Sequence, residues 1–414
     1  MINEEKIKIS FQLLKEDILS IKQDIKLLSN NENKNRIIKE EDKNIGENTA
    51  DNIKNNSMNE IIKKTEYFFE NKRILITGGL GFIGSNLAHR LAKLNPKSII
   101  ILDSQIPGLG ANLFNIKGLE KKVKVLKGKS WDLRNIENMK KILRNTDLIF
   151  NLAGSVSHIG SKENPLFDLE INLKSHLCLL EACKQVIKET GREIKIVYAG
   201  TRDQYGKVKE KDLPVRESQA IEEVTDPQGI NKNAAEFYHF WYRHSGIKSC
   251  SLRLSNIYGE RHIMKDSGQG VLNWFIRQAL ENKNLELWGG GEVLRDFIYA
   301  DDVSDALLLA MSSEKSDGQA YNIGAYRKKQ GLYESLGSNI TTIKSAAELV
   351  IGIAGSGKIK IINYPEDRKS LEPGHFYSDS SKIYQDLGWE PKTSFQQGLK
   401  KTIDFYKLNL KKYI

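Results

Sequence analysis

Thr77-Gly78-Gly79-Leu80-Gly81-Phe82-Ile83-Gly84 follows the apolar run Ile74-Leu75-Ile76 directly. Gly78, Gly81 and Gly84 recur at every third position and lead into a helical pattern over 85–94. Without side chains, a backbone can approach a pyrophosphate, whose charge then rests on a helix N-terminus. The next apolar run, Ile99 to Leu102, ends at Asp103, 19 residues beyond Gly84. A carboxylate there is placed for a ribose 2′-hydroxyl and would repel a 2′-phosphate. That predicts NAD rather than NADP as cofactor.

The pattern continues outward from this unit. Val123 to Leu126, Leu148 to Asn151 and Ile194 to Tyr198 read as further strands, with helical patterns over 167–189 and 229–244. Strands alternating with helices predict an α/β fold, a doubly wound parallel Rossmann sheet, over residues 72–254. After Ser255 the pattern breaks into shorter pieces. These predict a smaller C-terminal substrate-binding region, 255–295 and 325–410, with a return to the sheet near 296–324 through Tyr321-Asn322-Ile323.

Upstream, Ile7, Phe11, Leu14, Ile18, Ile21, Ile25 and Leu28 alternate spacings of four and three. Residues 1–29 therefore read as an amphipathic helix with a short coiled-coil seam, serving self-association or lying on its own catalytic domain. Residues 30–57, rich in Asn, Lys and Glu, read as a flexible linker. A short helical segment is expected around Ile61 to Phe69.

Composition narrows the functional classes. Of 414 residues, 39% are hydrophobic and 28% charged, which permits a sizeable core. The net charge is +10, and since residues 1–70 are near −2 the remaining body carries about +12. Such a body suits an anionic small molecule. The basic residues are scattered and no nucleic-acid module is visible, so no nucleic-acid partner is expected. No run of about 18 apolar residues occurs, which predicts no membrane span. The charged first residues lack the apolar stretch of a secretory signal. Three cysteines, Cys178, Cys183 and Cys250, make no disulfide framework, so a cytoplasmic location is expected. No metal-ligand cluster is apparent.

The glycine turn resembles the extended short-chain dehydrogenase/reductase family, the NAD-dependent nucleotide-sugar epimerases and dehydratases. The likeness runs from 72 to 408. Asn151-Leu152-Ala153-Gly154 resembles the family's strand-end motif beside the cofactor, and Trp131-Asp132-Leu133 places Asp132 where an Asp holds the adenine amino group. The resemblance thus assigns cofactor contacts to Gly78, Gly81, Phe82, Ile83, Gly84 and Asp103, and to Asp132, Leu133, Leu152, Ala153 and Lys232. Asn172 matches a helix Asn that supports the active site. Leu252 to Gly259 resembles the segment whose Asn, here Asn256, contacts the sugar-nucleotide phosphates. Arg295 to Val303 resembles the segment whose Arg, here Arg295, grips the diphosphate. Leu387-Gly388-Trp389-Glu390-Pro391 resembles the C-terminal signature. Arg368 and His375 resemble late substrate-phosphate contacts, Arg368 the better suited because a guanidinium forks onto phosphate oxygens.

Family enzymes use a Tyr four residues before a Lys on one helix as base, with a Ser/Thr after the fifth strand holding the reacting oxygen. Here Lys232 fits, but the Tyr position is Gln228, whose amide cannot ionise. Thr201 takes the hydroxyl position. Asp203 falls where family dehydratases carry an acid, and residues two apart on an extended segment share a face, so Asp203, directly or through one water, is expected to replace the Tyr in proton transfer, the alternative being a salt bridge from Asp203 to a neighbouring Arg or Lys. Tyr205 is another conceivable acid. His158, following the cofactor-side strand, is expected to line the sugar pocket. Residues 325–340, with Tyr326, Arg327, Lys328 and Lys329, read as an insertion that caps the pocket or forms a basic loop. The resemblance implies an epimerase or dehydratase that transiently oxidises a sugar carbon of a nucleotide-diphosphate sugar. Gln228 motivates the alternative, a catalytically impaired NAD/nucleotide-sugar-binding protein. A homodimer through 167–189 and 229–244 is expected.

Overall fold

Ile74, Leu75 and Ile76 form β1 (Arg73–Thr77), each at 1% exposure or less. The computed structural model to which this strand belongs describes residues 65–265, 268, 270–329, 332–335, 339–364 and 374–414. The expected N-terminal helix and linker, and Arg368, lie outside the described residues. Residues 65–69 are helical, and Phe69 is buried in the main core.

Beyond β1 the chain runs through α1 (Phe82–Leu91), β2 (Ser98–Asp103), β3 (Val123–Lys127), α2 (Ile136–Leu143) and β4 (Leu148–Asn151). It continues through α3 (Ser175–Thr190), β5 (Ile194–Thr201), α4 (Pro227–Trp241) and β6 (Ile247–Leu254). Helix α4 starts two residues earlier than its apolar pattern. Asp226 caps it by accepting from the Gly229 amide at 2.9 Å, and Pro227 occupies the first turn. Ahead of α3, Pro165–Leu169 is helical and Glu170–Lys174 makes a π-helical turn, the wider coil that recurs at functional sites.

Strand β6 is absent from the strands that apolar runs pick out. Its alternate residues Ser251 and Arg253 turn to the buried Glu236 of α4, at 2.6 and 3.1 Å, so polar residues interrupt the apolar signal.

The second region contributes β7 (Asn256–Tyr258), α5 (Val271–Leu280), β8 (Asn284–Trp288), β9 (Leu294–Tyr299), α6 (Ala300–Ser312) and β10 (Ala320–Ile323). β10 completes a seven-stranded sheet of order β10-β6-β5-β4-β1-β2-β3, every neighbouring pair parallel. Residues 296–299, expected in the return to this sheet, instead belong to β9. That strand pairs with β7 and with β13 (Ile340–Thr342) in a small sheet of three. The chain rejoins the main layers only at α6, which packs beside α1.

Before β13, β11 (Tyr326–Lys329) and β12 (Leu332–Ser335) form an antiparallel hairpin. The basic loop expected there is not what Arg327 serves. Arg327 is 9% exposed, pairs with Glu390 at 2.8 Å and lies over the Tyr384 ring. α7 (Ile343–Ala354), β14 (Lys358–Ile362), α8 (Ser381–Leu387) and α9 (Phe395–Asn409) complete the chain, with β14 pairing β8. A second apolar core joins α5, α7 and α9. Among the described residues, no helix is long and apolar enough to cross a membrane.

Candidate functional site

The strand order reverses between β1 and β4, which places a crevice at their C-terminal ends. Thr77 and Asn151 end these two strands side by side. The Thr77 hydroxyl donates to Asn151 Oδ1 at 2.9 Å and accepts from the amides of Leu152 and Ala153 at 3.1 and 3.2 Å. One side chain thereby fixes the loop that faces the glycine turn. Gly78, at φ +63°, has no room for a side chain, since a Cβ would stand 2.8 Å from Ala153 Cα. A Cβ on Gly84 would stand 2.5 Å from the Gly78 carbonyl oxygen. At Gly81 the nearest atom would be that same oxygen at 3.2 Å, so Gly81 is required less by packing than by the open space before it.

Gly81 is the N-cap of α1 and supplies no side-chain bond. The first-turn amides remain available to an anion. Gly78, Gly81, Phe82, Ile83, Gly84, Asp103, Asp132, Leu133, Leu152 and Ala153 all line this one cleft. Asp103 is 9% exposed and accepts from the amides of Leu80 and Gln105 at 3.2 and 2.9 Å. Burial pushes its pKa up, against those two amides. Asp132 is gripped by Arg134 through both oxygens, at 2.9 and 2.8 Å. The uncapped helix, the side-chain-free turn and the strand-end carboxylate fit a dinucleotide. Sequence reasoning missed His262 and Ile263, which also line the cleft. The His262 ring meets Phe82 edge-on at 4.7 Å, a contact across 180 residues that no local spacing signals.

Lys232 does not itself line the cleft but lies beside Gly154, which does. It is 6% exposed, and Nζ donates to the Ala199 carbonyl at 3.1 Å. A Cβ on Gly154 would stand 2.9 Å from Asn172 Oδ1 and 3.0 Å from Nζ, so the loop passes close to both side chains. Burial lowers the Lys232 pKa to about 8, against Asp168. Asn172, in the π-helical turn, donates to Asp168 at 2.6 Å and to the Ser155 carbonyl at 3.1 Å, and accepts from the Ser155 amide at 2.9 Å. Gln228, one turn before Lys232, is 2% exposed, and its Oε1 has no hydrogen-bond partner among the described residues.

Thr201 and Asp203 meet at the end of β5, where the Thr201 hydroxyl donates to Asp203 Oδ2 at 2.6 Å. His158 joins them. Its Nε2 lies 3.6 Å from the same oxygen, and its Nδ1 lies 2.8 Å from Asp226 Oδ2. Burial disfavours the Asp203 charge, yet His158, Arg202, the Thr201 hydroxyl and Arg295 outweigh it and bring the pKa down to about 2. The Asp203 charge, opposed by burial and assisted by Asp226, raises the His158 pKa. Asp226 is a member of this group that motif reading did not single out. Tyr205 is 2% exposed and bonds Asn322 and Arg253 at 2.6 and 2.8 Å, a packing role. Asn256 donates to the Asp296 carbonyl at 3.1 Å. Arg295 donates to the Leu294 and Gly374 carbonyls while its charge reaches Asp203. His375 accepts from the Leu294 amide at 3.0 Å.

Residues 74–324 match the model of the NAD dependent epimerase/dehydratase family. A Methanocaldococcus jannaschii protein, provisionally named UDP-glucose 4-epimerase, is 30% identical over 81% of this chain and 99% of its own length. The dTDP-glucose 4,6-dehydratase of Salmonella typhimurium is 26% identical over 81% of this chain and 93% of its own. Among solved structures, the UDP-glucose 4-epimerase of Thermotoga maritima with UDP-glucose superposes with a TM-score of 0.69. It is 29% identical, over 82% of this chain and 99% of that one.

Proposed function

This chain belongs to the NAD-dependent epimerase/dehydratase family, and from that premise we propose that it epimerises or dehydrates a nucleotide-diphosphate sugar through transient oxidation of one sugar carbon. The observation that carries this reading is the approach of Lys232 to Gly154. There the dinucleotide cleft meets the helix that faces Thr201 and Asp203.

NAD, when bound, supplies a hydride acceptor. The chain's own residues divide the remaining work. The turn Gly78 to Gly84 and the amides of α1 hold a pyrophosphate, and Asp103 takes a ribose hydroxyl. Leu152 and Ala153 wall the cleft, and Lys232 orients the ribose nearest the sugar. Thr201 holds the reacting oxygen against Asp203, with Arg295, Asn256 and Arg368 assigned to the diphosphate. The free cysteines, two of them buried, suit a cytoplasmic location.

Assembly is part of the same reading. Ile230, Phe237 and Trp241 are 53, 62 and 56% exposed and recur on the outer face of α4, next to the exposed Leu166 and Leu169. An apolar stripe of this kind supports a homodimer.

The test is direct. Protein is denatured and any released dinucleotide is identified by mass. UDP-glucose, UDP-N-acetylglucosamine and dTDP-glucose are then incubated with the enzyme in deuterium oxide and followed by proton NMR. Conversion of one sugar is expected. Gln228, which cannot ionise, favours a second reading, a binding protein without chemistry. NAD retention with no conversion of any sugar selects that reading.

A further inference from the structure

Helix α4 carries Lys232 and, one turn earlier, an amide where proton transfer needs an ionisable group. The same helix supplies something else through its cap. Asp226 uses Oδ1 to accept from the Gly229 amide and Oδ2 to hold His158 Nδ1 at 2.8 Å. A carboxylate only accepts, so Nδ1 carries the proton and Nε2 is directed to Asp203 Oδ2, the oxygen that also accepts from the Thr201 hydroxyl. The three acidic and basic partners differ in access. Asp226 and Asp203 side chains are 4 and 11% exposed, whereas His158 is 41% exposed. Ser157 fixes the backbone here by capping the short helix His158–Glu163.

We propose that His158 is the proton carrier of the sugar site, a catalytic residue in the place left open by Gln228, with Asp226 as the positioning residue that sets its tautomer. The proposal rests on the reading above, in which the sugar is oxidised. As the sugar hydroxyl held by Thr201 becomes a carbonyl, its O–H bond breaks and an N–H bond forms at Nε2. The C–H electron pair leaves with the hydride. When hydride returns, the N–H bond breaks and the hydroxyl is restored, so no further reactant is consumed. The imidazolium formed in between lies between two carboxylates. This assigns Asp203 an electrostatic part. A carboxylate held ionised near a pKa of about 2 is a weak base at neutral pH, and its charge serves to stabilise the imidazolium.

The charged groups that act on His158 come from two elements. Asp203 and Arg202 lie after β5 and Asp226 caps α4, while Lys162 and Glu163, on its own short helix, are not among the charges that act on it. Asp203 and Asp226 favour the imidazolium and Arg202 opposes it, the balance lying above the ordinary imidazole value. Held at Nδ1 by Asp226 and facing Asp203 at Nε2, the imidazole is placed to take a proton at Nε2 and to return it.

His158→Gln tests the proposal on whichever of UDP-glucose, UDP-N-acetylglucosamine or dTDP-glucose the wild type converts. kcat should fall roughly 10²–10⁴-fold, with NAD affinity within about twofold of wild type and the alkaline-rising limb of the kcat profile lost. Added imidazole should restore part of the rate to His158→Gly. Independently of turnover, carbon-detected NMR of the imidazoles should show His158 titrating above its ordinary value, and lower in Asp226→Asn, which keeps the helix cap. Wild-type kcat and an unchanged pH profile in His158→Gln would overturn the proposal while leaving the epimerase/dehydratase reading intact. So would a His158 titration at or below the ordinary value. A wild type that binds NAD but converts no sugar removes the reading itself, and the proposal with it.

Discussion

Thr77 and Asn151 close the crevice from below, hydroxyl to amide oxygen at 2.9 Å across β1 and β4. Thr77 also accepts from two loop amides, so its removal leaves Leu152 and Ala153 without their partner. Thr77→Val, nearly equal in shape, should cost about 1–3 kcal/mol in urea unfolding. NAD affinity should fall with it, because the loop facing the glycine turn loses its anchor.

The glycines of the turn should separate by substitution. Gly84→Ala places a Cβ 2.5 Å from a backbone oxygen. It should lower stability by about 1–3 kcal/mol, read by thermal unfolding without cofactor. Gly81→Val meets less of the protein and more of the cleft. Its unfolding midpoint should move less than that of Gly84→Ala, while calorimetry shows NAD binding abolished.

Cofactor choice follows from Asp103. Its buried carboxylate lines the cleft, and in the proposed ribose-binding role its charge would disfavour a 2′-phosphate. NADP should bind at least about tenfold more weakly than NAD, a difference of ~1.4 kcal/mol. Asp103→Asn should narrow that ratio. Equal affinities in the wild type would refute the role given to Asp103.

The His158–Asp203 pair makes stability depend on pH at both ends. The Asp203 pKa is depressed to about 2, so its contribution is present above its unfolded value of about 3.9 and is lost as pH falls toward 2. The His158 pKa is raised, so its contribution is complete below its unfolded value of about 6.5 and is lost as pH rises through the higher folded value. Urea midpoints of wild type and His158→Gln should therefore converge as pH rises from about 6 to about 9.

Phe237→Glu or Trp241→Glu on the outer face of α4 should convert the proposed homodimer to monomer in light scattering. Removal of residues 1–57 should leave the dimer intact. A monomer after that truncation would move association to the N-terminal segment.

The parts of this molecule legible in sequence are those set by neighbours in the chain. β1, the glycine turn, α1 and Asp103 form one continuous stretch, and their apolar and glycine spacing carries the geometry. β6 was not legible, because Ser251 and Arg253 face a buried carboxylate and break the apolar run. Thr201 and Asp203 could be paired, being two residues apart. Their meeting with His158 and Asp226 depends on β4, β5 and α4 lying together, which no local pattern encodes. The Asn151 amide shows the same limit. It contacts both His176 and His239, at 2.9 and 3.2 Å, inside the core, where only the fold brings them together. Arg327 likewise reads as a loop cation and turns out to be packed, since its partners Glu390 and Tyr384 arrive from the far C-terminal part.

Helix α4 is a single rod of fifteen residues with a buried side and an exposed apolar side. Gln228, Lys232 and Glu236 point inward, and Ile230, Phe237 and Trp241 point outward. A subunit contact on the outer side would press on the same backbone that aims Lys232 and anchors His158 through Asp226. Quaternary structure and turnover then share a lever. If the proposed dimer forms there, specific activity should decline on dilution below its dissociation constant.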